Sequence, residues 1–303
     1  MTQTKTKHNK RWQLLRNALL SQAGNQPQTH PDQSECVFKA LFGRVELETV
    51  SSLPETDMAD VHTLLYPLGS GHQLKISTPH HRLDKANLFS QYSGFLNTGN
   101  VRIWNSEHVM AYWAAIKNPE LFRGKSVLEL GSGMTGLAGL AIASAANPAS
   151  VHVTDGNPTS VASLQSNIAR NSSCFGPSAV INASQLLWGE KSSTLVDVIV
   201  GGDCTFDANA HEPLRNTIIA CLNASGVAYL FCPRRGNSLL QFYQLCHSKS
   251  DGLLHVQWIE NYDGNVWAIH AEQLELSRND PSIYNADKEY PIMIKISRLP
   301  KLE

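Results

Sequence analysis

The sequence predicts an α/β fold built on a mainly parallel sheet with helices on both faces, and three observations carry that prediction. From Lys125 onward, apolar runs rich in β-branched residues alternate with helical patterns. The runs are little interrupted by polar residues, as expected for strands covered on both sides. The first of them ends on the closely spaced glycines of "VLELGSGMTGLAG", residues 127–139, which suit a tight strand-to-helix turn.

Taken in order, "KSVLEL" (125–130) is a strand and "MTGLAGLAIASAA" (134–146) the helix after it. "SVHVTD" (150–155) is the next strand, and "PTSVASLQSNIARN" (158–171) the next helix, with Pro158 suited to a first helical position. "AVINASQLLW" (179–188) and "LVDVIVGGD" (195–203) continue the strands, followed by a helix after Pro213 and the strand "GVAYLFCP" (226–233). The helix "NSLLQFYQLCH" (237–247), then "LLHVQWIENY" (253–262) and "YPIMIKISRL" (290–299), complete the series. In such a sheet a ligand sits beyond the carboxyl ends of the strands.

Residues 1–100 read as a small mixed N-terminal domain and 101–303 as the main one. "RWQLLRNALL" is an amphipathic helix with Trp12, Leu15 and Leu19 on one face, and the polar "SQAGNQPQTHPDQS" (21–34) separates it from the next apolar segment. That segment, "CVFKALFGRVELETV" (36–50), suggests a strand or hairpin; a second polar break then precedes "VHTLLYPL" (61–68) and "QLKIS" (73–77). The amino end carries Lys5, Lys7, Lys10, Arg11 and Arg16 with no acid before Asp32, so a basic tail competes there with a mitochondrial import segment.

Over 303 residues the formal net charge is -1, which excludes bulk electrostatic attraction to nucleic acid or anionic lipid. Six scattered cysteines without a C-x-x-C pair point to reduced thiols in the cytoplasm or nucleus, and no metal is expected. No apolar run reaches the ~18 residues of a membrane-spanning helix.

Gly131, Gly133 and Gly136 fit G-x-G-x-x-G, with Ser132 inside the turn, and Asp155 follows Gly136 by 19 residues, where a ribose-binding carboxylate belongs. Taken alone, that spacing suits a nicotinamide dinucleotide, and Asp155 alone reads equally well as a turn or capping aspartate. Glu129 argues against the dinucleotide, because a carboxylate just ahead of the turn repels a diphosphate. S-adenosylmethionine offers an ammonium and a sulfonium instead, so Glu129 favours that cofactor. Trp188, at the end of the third strand, is positioned to lay its indole against an adenine.

With these residues in view, the sequence resembles the seven-strand S-adenosylmethionine-dependent methyltransferases, whose Rossmann-like sheet matches the predicted fold. It is most similar to the branch that methylates lysines of non-histone proteins. "LLWG" and "DCTF", the latter Asp203 to Phe206, carry the narrower match, and "VRIWNSEHVMAYW", with Trp104, looks like that branch's other cofactor-contacting segment. "RWQLLR", "NTGNVRIW", "GSGMTGLAGL", "VTDGN", "CPRRGNSLLQF" and "ENYD" are together similar to members of the branch that act on calmodulin. The resemblance implies cofactor contacts from Trp104, Gly131, Gly133, Asp155, Trp188 and Gly202, with Glu129 nearby, and implies that Asp203 and Phe206 face the acceptor lysine. One departure is that Thr135 stands where the broader family often has its third glycine, Gly136 following it.

A carboxylate paired directly with a lysine stabilises its ammonium form. Asp203 is therefore expected to orient the amine and partly stabilise the cation formed after transfer, with general base as the second choice. Phe206 would offer a ring face to an alkylated ammonium, up to trimethyllysine; Tyr262 reads as core. Arg234 and Arg235, in "PRRGN", are read either as solvated charge or as docking groups for an acidic partner such as calmodulin. The alternatives are a different folded protein as acceptor, or a cofactor-binding scaffold without catalysis.

Overall fold

The computed structural model describes residues 37–43, 45–49, 61–68, 73–79, 103–176, 179–190, 195–248 and 253–298. The amphipathic helix and basic segment expected near the amino end lie outside them. The chain divides into two compact units, 1–35 and 36–303, and all described residues belong to the second.

Its centre is a seven-stranded sheet of β4 (Ser126–Leu130), β5 (Ser150–Asp155), β6 (Val180–Gln185), β7 (Val196–Gly202), β8 (Leu222–Cys232), β9 (Leu254–Ile259) and β10 (Ile292–Arg298). The order is β6-β5-β4-β7-β8-β10-β9. The five strands β6, β5, β4, β7 and β8 are parallel to one another, whereas β10 runs antiparallel to both β8 and β9. The order reverses between β4 and β7, and a crevice opens at such a switch point.

Two helices precede and follow the glycine turn: α1 (Asn105–Tyr112), continued by a π-helical turn at Trp113–Lys117, and α2 (Leu137–Ala145). The helix expected from residue 134 begins at 137 because Gly136, its cap, is left-handed at φ +59°. Next comes α3 (Pro158–Arg170), started by Pro158 and by Asn157, whose side chain accepts from the Thr159 amide at 2.8 Å. Helices α4 (His211–Cys221) and α5 (Ser238–Ser248) come after it. The chain between β9 and β10 holds α6 (Gly264–Ser277) and a short α7 (Ala286–Glu289). Helix α6 was not expected, since it buries only Val266 and His270 and shows no clear apolar stripe; its start is set by Asp263, which accepts from the Asn265 and Val266 amides at 2.9 and 3.0 Å.

A smaller antiparallel sheet joins β1 (Glu46–Thr49), β2 (Val61–Pro67) and β3 (Gln73–Pro79). The strand or hairpin expected over 36–50 is in part a 3₁₀ turn, Val37–Phe42, which buries Phe38 and Phe42. Two asparagines on and just after α3 tie this sheet down. Asn171 accepts from the Lys75 amide at 2.8 Å and donates to the Lys75 carbonyl at 2.8 Å. Asn167 does the same for Ser77 at 3.0 and 3.3 Å. Side-chain amides thus supply the partners that another strand would give the edge of β3. On its other side the sheet meets α1, where the Tyr66 hydroxyl and His108 Nε2 lie 2.9 Å apart and Phe42 packs edge-on against Tyr66. Burial lowers the His108 imidazole to about 4, so it is neutral at physiological pH.

Candidate active site

The carboxyl ends of β4 to β7, the start of α1 and the loop after β8 surround a cavity of about 1020 Å³. Each wall has a local cause. The glycine turn runs left-handed at Gly131 (φ +70°) and Gly133 (φ +61°), as a tight strand-to-helix reversal demands. A Cβ on Gly131 would come within 3.3 Å of the Trp188 ring, so glycine there lets the indole lie flush against the turn and line the cavity. Ser132 is buried and ties the turn to β5, its amide donating to the Thr154 carbonyl at 2.9 Å and its hydroxyl accepting from the Thr154 amide at 3.2 Å. Gly202 admits α1, since a Cβ there would meet Met110 Cε at 3.3 Å.

Asp155 ends β5 with its carboxylate already engaged: Oδ2 accepts from the Gly133 amide at 3.0 Å and Oδ1 from the Asn157 amide at 2.8 Å. It both shapes the glycine turn and lines the cavity. The turn role is thus observed, and the same side chain lies where a ribose contact was expected.

Glu129, 1 % exposed, accepts from the Gly139 amide in the first turn of α2 at 2.8 Å. Beside it stands a residue that the sequence did not single out. Glu107, on α1, accepts from the Leu137 amide at 2.9 Å and from the Thr135 hydroxyl. Thr135, the departure from G-x-G-x-G, thus supplies a hydroxyl to Glu107. The available signal was an acid three residues after Trp104, placed to cap or flank a helix start. Burial pushes the Glu107 carboxyl up to about 7; burial, reinforced by repulsion from Glu107, pushes Glu129 up to about 8. Amide and hydroxyl donors answer both groups, but among the described residues no cationic side chain pairs with either. Both line the cavity. This end of the cavity, with two buried acids and among the described residues no cation paired to them, fits a ligand that brings an ammonium and a sulfonium better than a diphosphate.

At the other end, Asp203 follows β7 in a left-handed conformation (φ +49°), and Arg235 follows β8 in another (φ +45°). Such backbones are disfavoured for residues other than glycine by ~1–2 kcal/mol. The pair they present is bidentate, with Arg235 Nε donating to Oδ1 at 2.9 Å and Nη2 to Oδ2. The guanidinium also lies over the Trp104 ring, 5.1 Å from its centroid. Phe206, 42 % exposed, lines the same cavity.

The two adjacent arginines, read as solvated charge or as docking groups, part company. Arg235 turns into the cavity, while Arg234 stays outside, donating to Glu260 at 2.6 Å and lying 5.4 Å over Trp258. Tyr262 donates to the Pro291 carbonyl at 2.6 Å and packs edge-on against Phe231, away from the cavity lining. Cys204, which also lines the cavity, and Cys232 have their sulfurs 3.8 Å apart, both reduced.

Residues 89–249 match the family model described as lysine methyltransferase. The chain belongs to the lysine methyltransferase family. Within it, the chain is 36% identical over 299 residues to a calmodulin-lysine N-methyltransferase of Arabidopsis thaliana, covering 95% of each chain. A protein-lysine N-methyltransferase of Mus musculus, EEF2KMT, is 31% identical over 115 residues, 34% of each chain. Among solved structures, a putative methyltransferase complexed with SAH is 12% identical, with a TM-score of 0.47 over 82% of this chain and 58% of that one. As a lysine methyltransferase the chain uses S-adenosylmethionine, and the acid-lined end of the cavity suits that donor.

Proposed function

We propose that this lysine methyltransferase acts on calmodulin, adding methyl groups to one of its lysine side chains up to trimethyllysine. The observation that carries the choice of acceptor is the 36% identity with the Arabidopsis enzyme across 95% of both chains, which includes the segments lining both ends of the cavity.

S-adenosylmethionine supplies an electrophilic methyl group on a sulfonium. Glu107 and Glu129 hold the positive end of the donor, and the turn at Gly131 and Gly133 gives its amino-acid moiety a close backbone approach. Asp155, Trp188 and Trp104 take the nucleoside, with Gly202 leaving room beside it. For the acceptor, the obstacle is its proton: a lysine of pKa ~10.4 is uncharged about once in a thousand at neutral pH, a penalty of ~4 kcal/mol. Asp203 accepts from the amine and fixes its direction toward the methyl group, while burial next to a sulfonium favours loss of the proton. The main contribution is alignment, with reacting atoms ~3 to 3.5 Å apart and no covalent enzyme intermediate. Phe206 offers a ring to the methylammonium product, an attraction of ~0.5–2 kcal/mol that survives each methylation.

The test is incubation of the purified protein with isotopically labelled donor and unmethylated calmodulin, followed by mass spectrometry. Mono-, di- and trimethylation of a single lysine is expected. Label that enters other proteins of a cell extract but never calmodulin overturns the choice of acceptor.

A further inference from the structure

Two thiols that the steps of methyl transfer leave unused meet at the Asp203 end of the cavity. Cys204 directly follows Asp203 and lines the cavity; Cys232 ends β8, and the two sulfurs are 3.8 Å apart. Cys232 is fully buried and its backbone pairs with Ile292 of β10, so it belongs to the interior of the sheet. Cys204 stands in the loop leaving β7, between two anchors. On one side the Asp203 amide donates to the Phe231 carbonyl at 2.9 Å; on the other the Thr205 carbonyl accepts from the Ser238 hydroxyl at 2.5 Å, with His211 Nε2 2.9 Å away. Sulfurs in such contact need little movement to bond, and the cavity gives a small oxidant a path to one of them.

We propose that Cys204 and Cys232 form a reversible redox site, oxidised by a hydroperoxide entering through the cavity to a disulfide that disables the acceptor end. The Cys204 sulfur attacks the peroxide O–O bond, which breaks to leave a sulfenic acid on Cys204 and one water. The Cys232 sulfur then displaces the sulfenic oxygen, forming the S–S bond and releasing a second water. Peroxide takes up the two electrons, both thiol protons leave in the waters, and an external dithiol reverses the change. At rest the pair guards itself: the hydrogen bond to Cys232, then burial, push the Cys204 thiol well up, so its reactive thiolate forms only as that proton crosses to Cys232. Because β8 is held between β7 and β10, closing the bond draws on the loop. A pull at Cys204, between its two anchors, redirects Asp203 and Phe206. That effect on turnover rests on the reading of those two residues as acceptor-facing; formation of the bond does not. Glu107, Glu129 and the glycine turn lie off this loop, so donor binding survives oxidation.

The experiment treats the full-length protein with hydrogen peroxide, with and without saturating adenosylhomocysteine, and then blocks remaining thiols with an alkylating agent. Peptides are mapped by mass spectrometry, and methyl transfer to calmodulin is measured before and after dithiothreitol. A peptide linked through Cys204 and Cys232 is expected, forming more slowly when adenosylhomocysteine fills the cavity. Methyl transfer should fall by on the order of 10²-fold, the cost of a ~1 Å misplacement, and return with dithiothreitol. Cys204→Ala and Cys232→Ala should both lack the linked peptide, and Cys204→Ala, with no thiol at the cavity wall, should stay active at the dose that silences wild type. Thermal midpoints check that the variants fold, and the wild-type map decides the outcome without them. Wild type that loses activity to peroxide while both thiols remain open to alkylation overturns the proposal. So does a linked peptide with methyl transfer unchanged. An untreated enzyme that leaves calmodulin unmodified sinks the functional reading instead, and the linked peptide still decides whether the redox site exists.

Discussion

At one end of the cavity two carboxyls, Glu107 and Glu129, are answered by backbone amides at the start of α2; at the other end a third, Asp203, is answered by a guanidinium. Residue type is nearly the same in all three, and the counter-group decides the chemistry. Amides stabilise an ionised carboxyl without neutralising it, so under the proposed reading the first end, where burial pushes the two acids up to about 7 and 8, ionises to receive a cation. The guanidinium instead pairs ionically with both oxygens of the third, and under the proposed reading this is the end that takes the acceptor amine. The proposed methyl transfer, from a cation to an amine, brings the two ends together in one cavity.

The largest expected effect comes from removing the third carboxylate. Asp203→Ala should lower kcat by roughly 10²–10³-fold, the range found when a placed transition-state partner is lost, while calorimetry shows adenosylhomocysteine binding within a few-fold of wild type. Turnover equal to wild type would break the comparison at its acceptor end. Next, Glu129→Gln should weaken the donor by about 100-fold, or ~2.7 kcal/mol, with little change in KM for calmodulin. Heat from a nicotinamide dinucleotide and none from adenosylhomocysteine would break the donor end.

Gly139→Ala sharpens the comparison through packing. A Cβ there would lie 2.4 Å from Val153 Cγ1 and 2.5 Å from Glu129 Oε2, so α2 must back away from the carboxyl that its amide serves. A loss of ~1–3 kcal/mol in unfolding free energy is expected from such overpacking, together with weaker donor binding.

The smallest effect is in pH. Burial raises Glu107 from 4.5 to about 7 and Glu129 from 4.5 to about 8, so ionisation of either is unfavourable in the ligand-free fold. Their contribution to stability is complete below pH 4.5 and is lost as pH rises through about 7 and 8. The thermal midpoint of the ligand-free protein should carry a falling component between those limits, and S-adenosylmethionine should restore it. Donor affinity should tighten from pH 6 to pH 8 as the acids ionise to receive the cation. Glu129→Gln should remove the upper part of that rise; an unchanged slope would mean that Glu129 does not meet the charge.

Where the sequence was legible, one strong local signal was enough. The βαβα alternation announced the parallel strands, and the glycines at 131, 133 and 136 are left-handed, as a turn of that spacing needs. Glu129 and Asp155 could be singled out because their chemistry is tied to a spacing along the chain. Glu107 and the pairing of Arg235 escaped for the opposite reason: each acts on a residue far away in sequence, Glu107 on the 135–137 segment and Arg235 on Asp203, 32 residues upstream. Nothing local marks such a pair. Helix α6 escaped because its residues show no apolar stripe, and with it went the antiparallel placement of β10.

The asparagine brackets that fasten β3 to α3 carry a practical consequence. Because the small sheet also leans on the helix that presents Trp104 and Glu107, the described strands before residue 80 work as scaffolding for that end of the cavity rather than as a detachable appendage. Trimming the gene to its doubly wound half would yield a polypeptide with the glycine turn intact and nothing behind α1 to keep that turn furnished with its second acid.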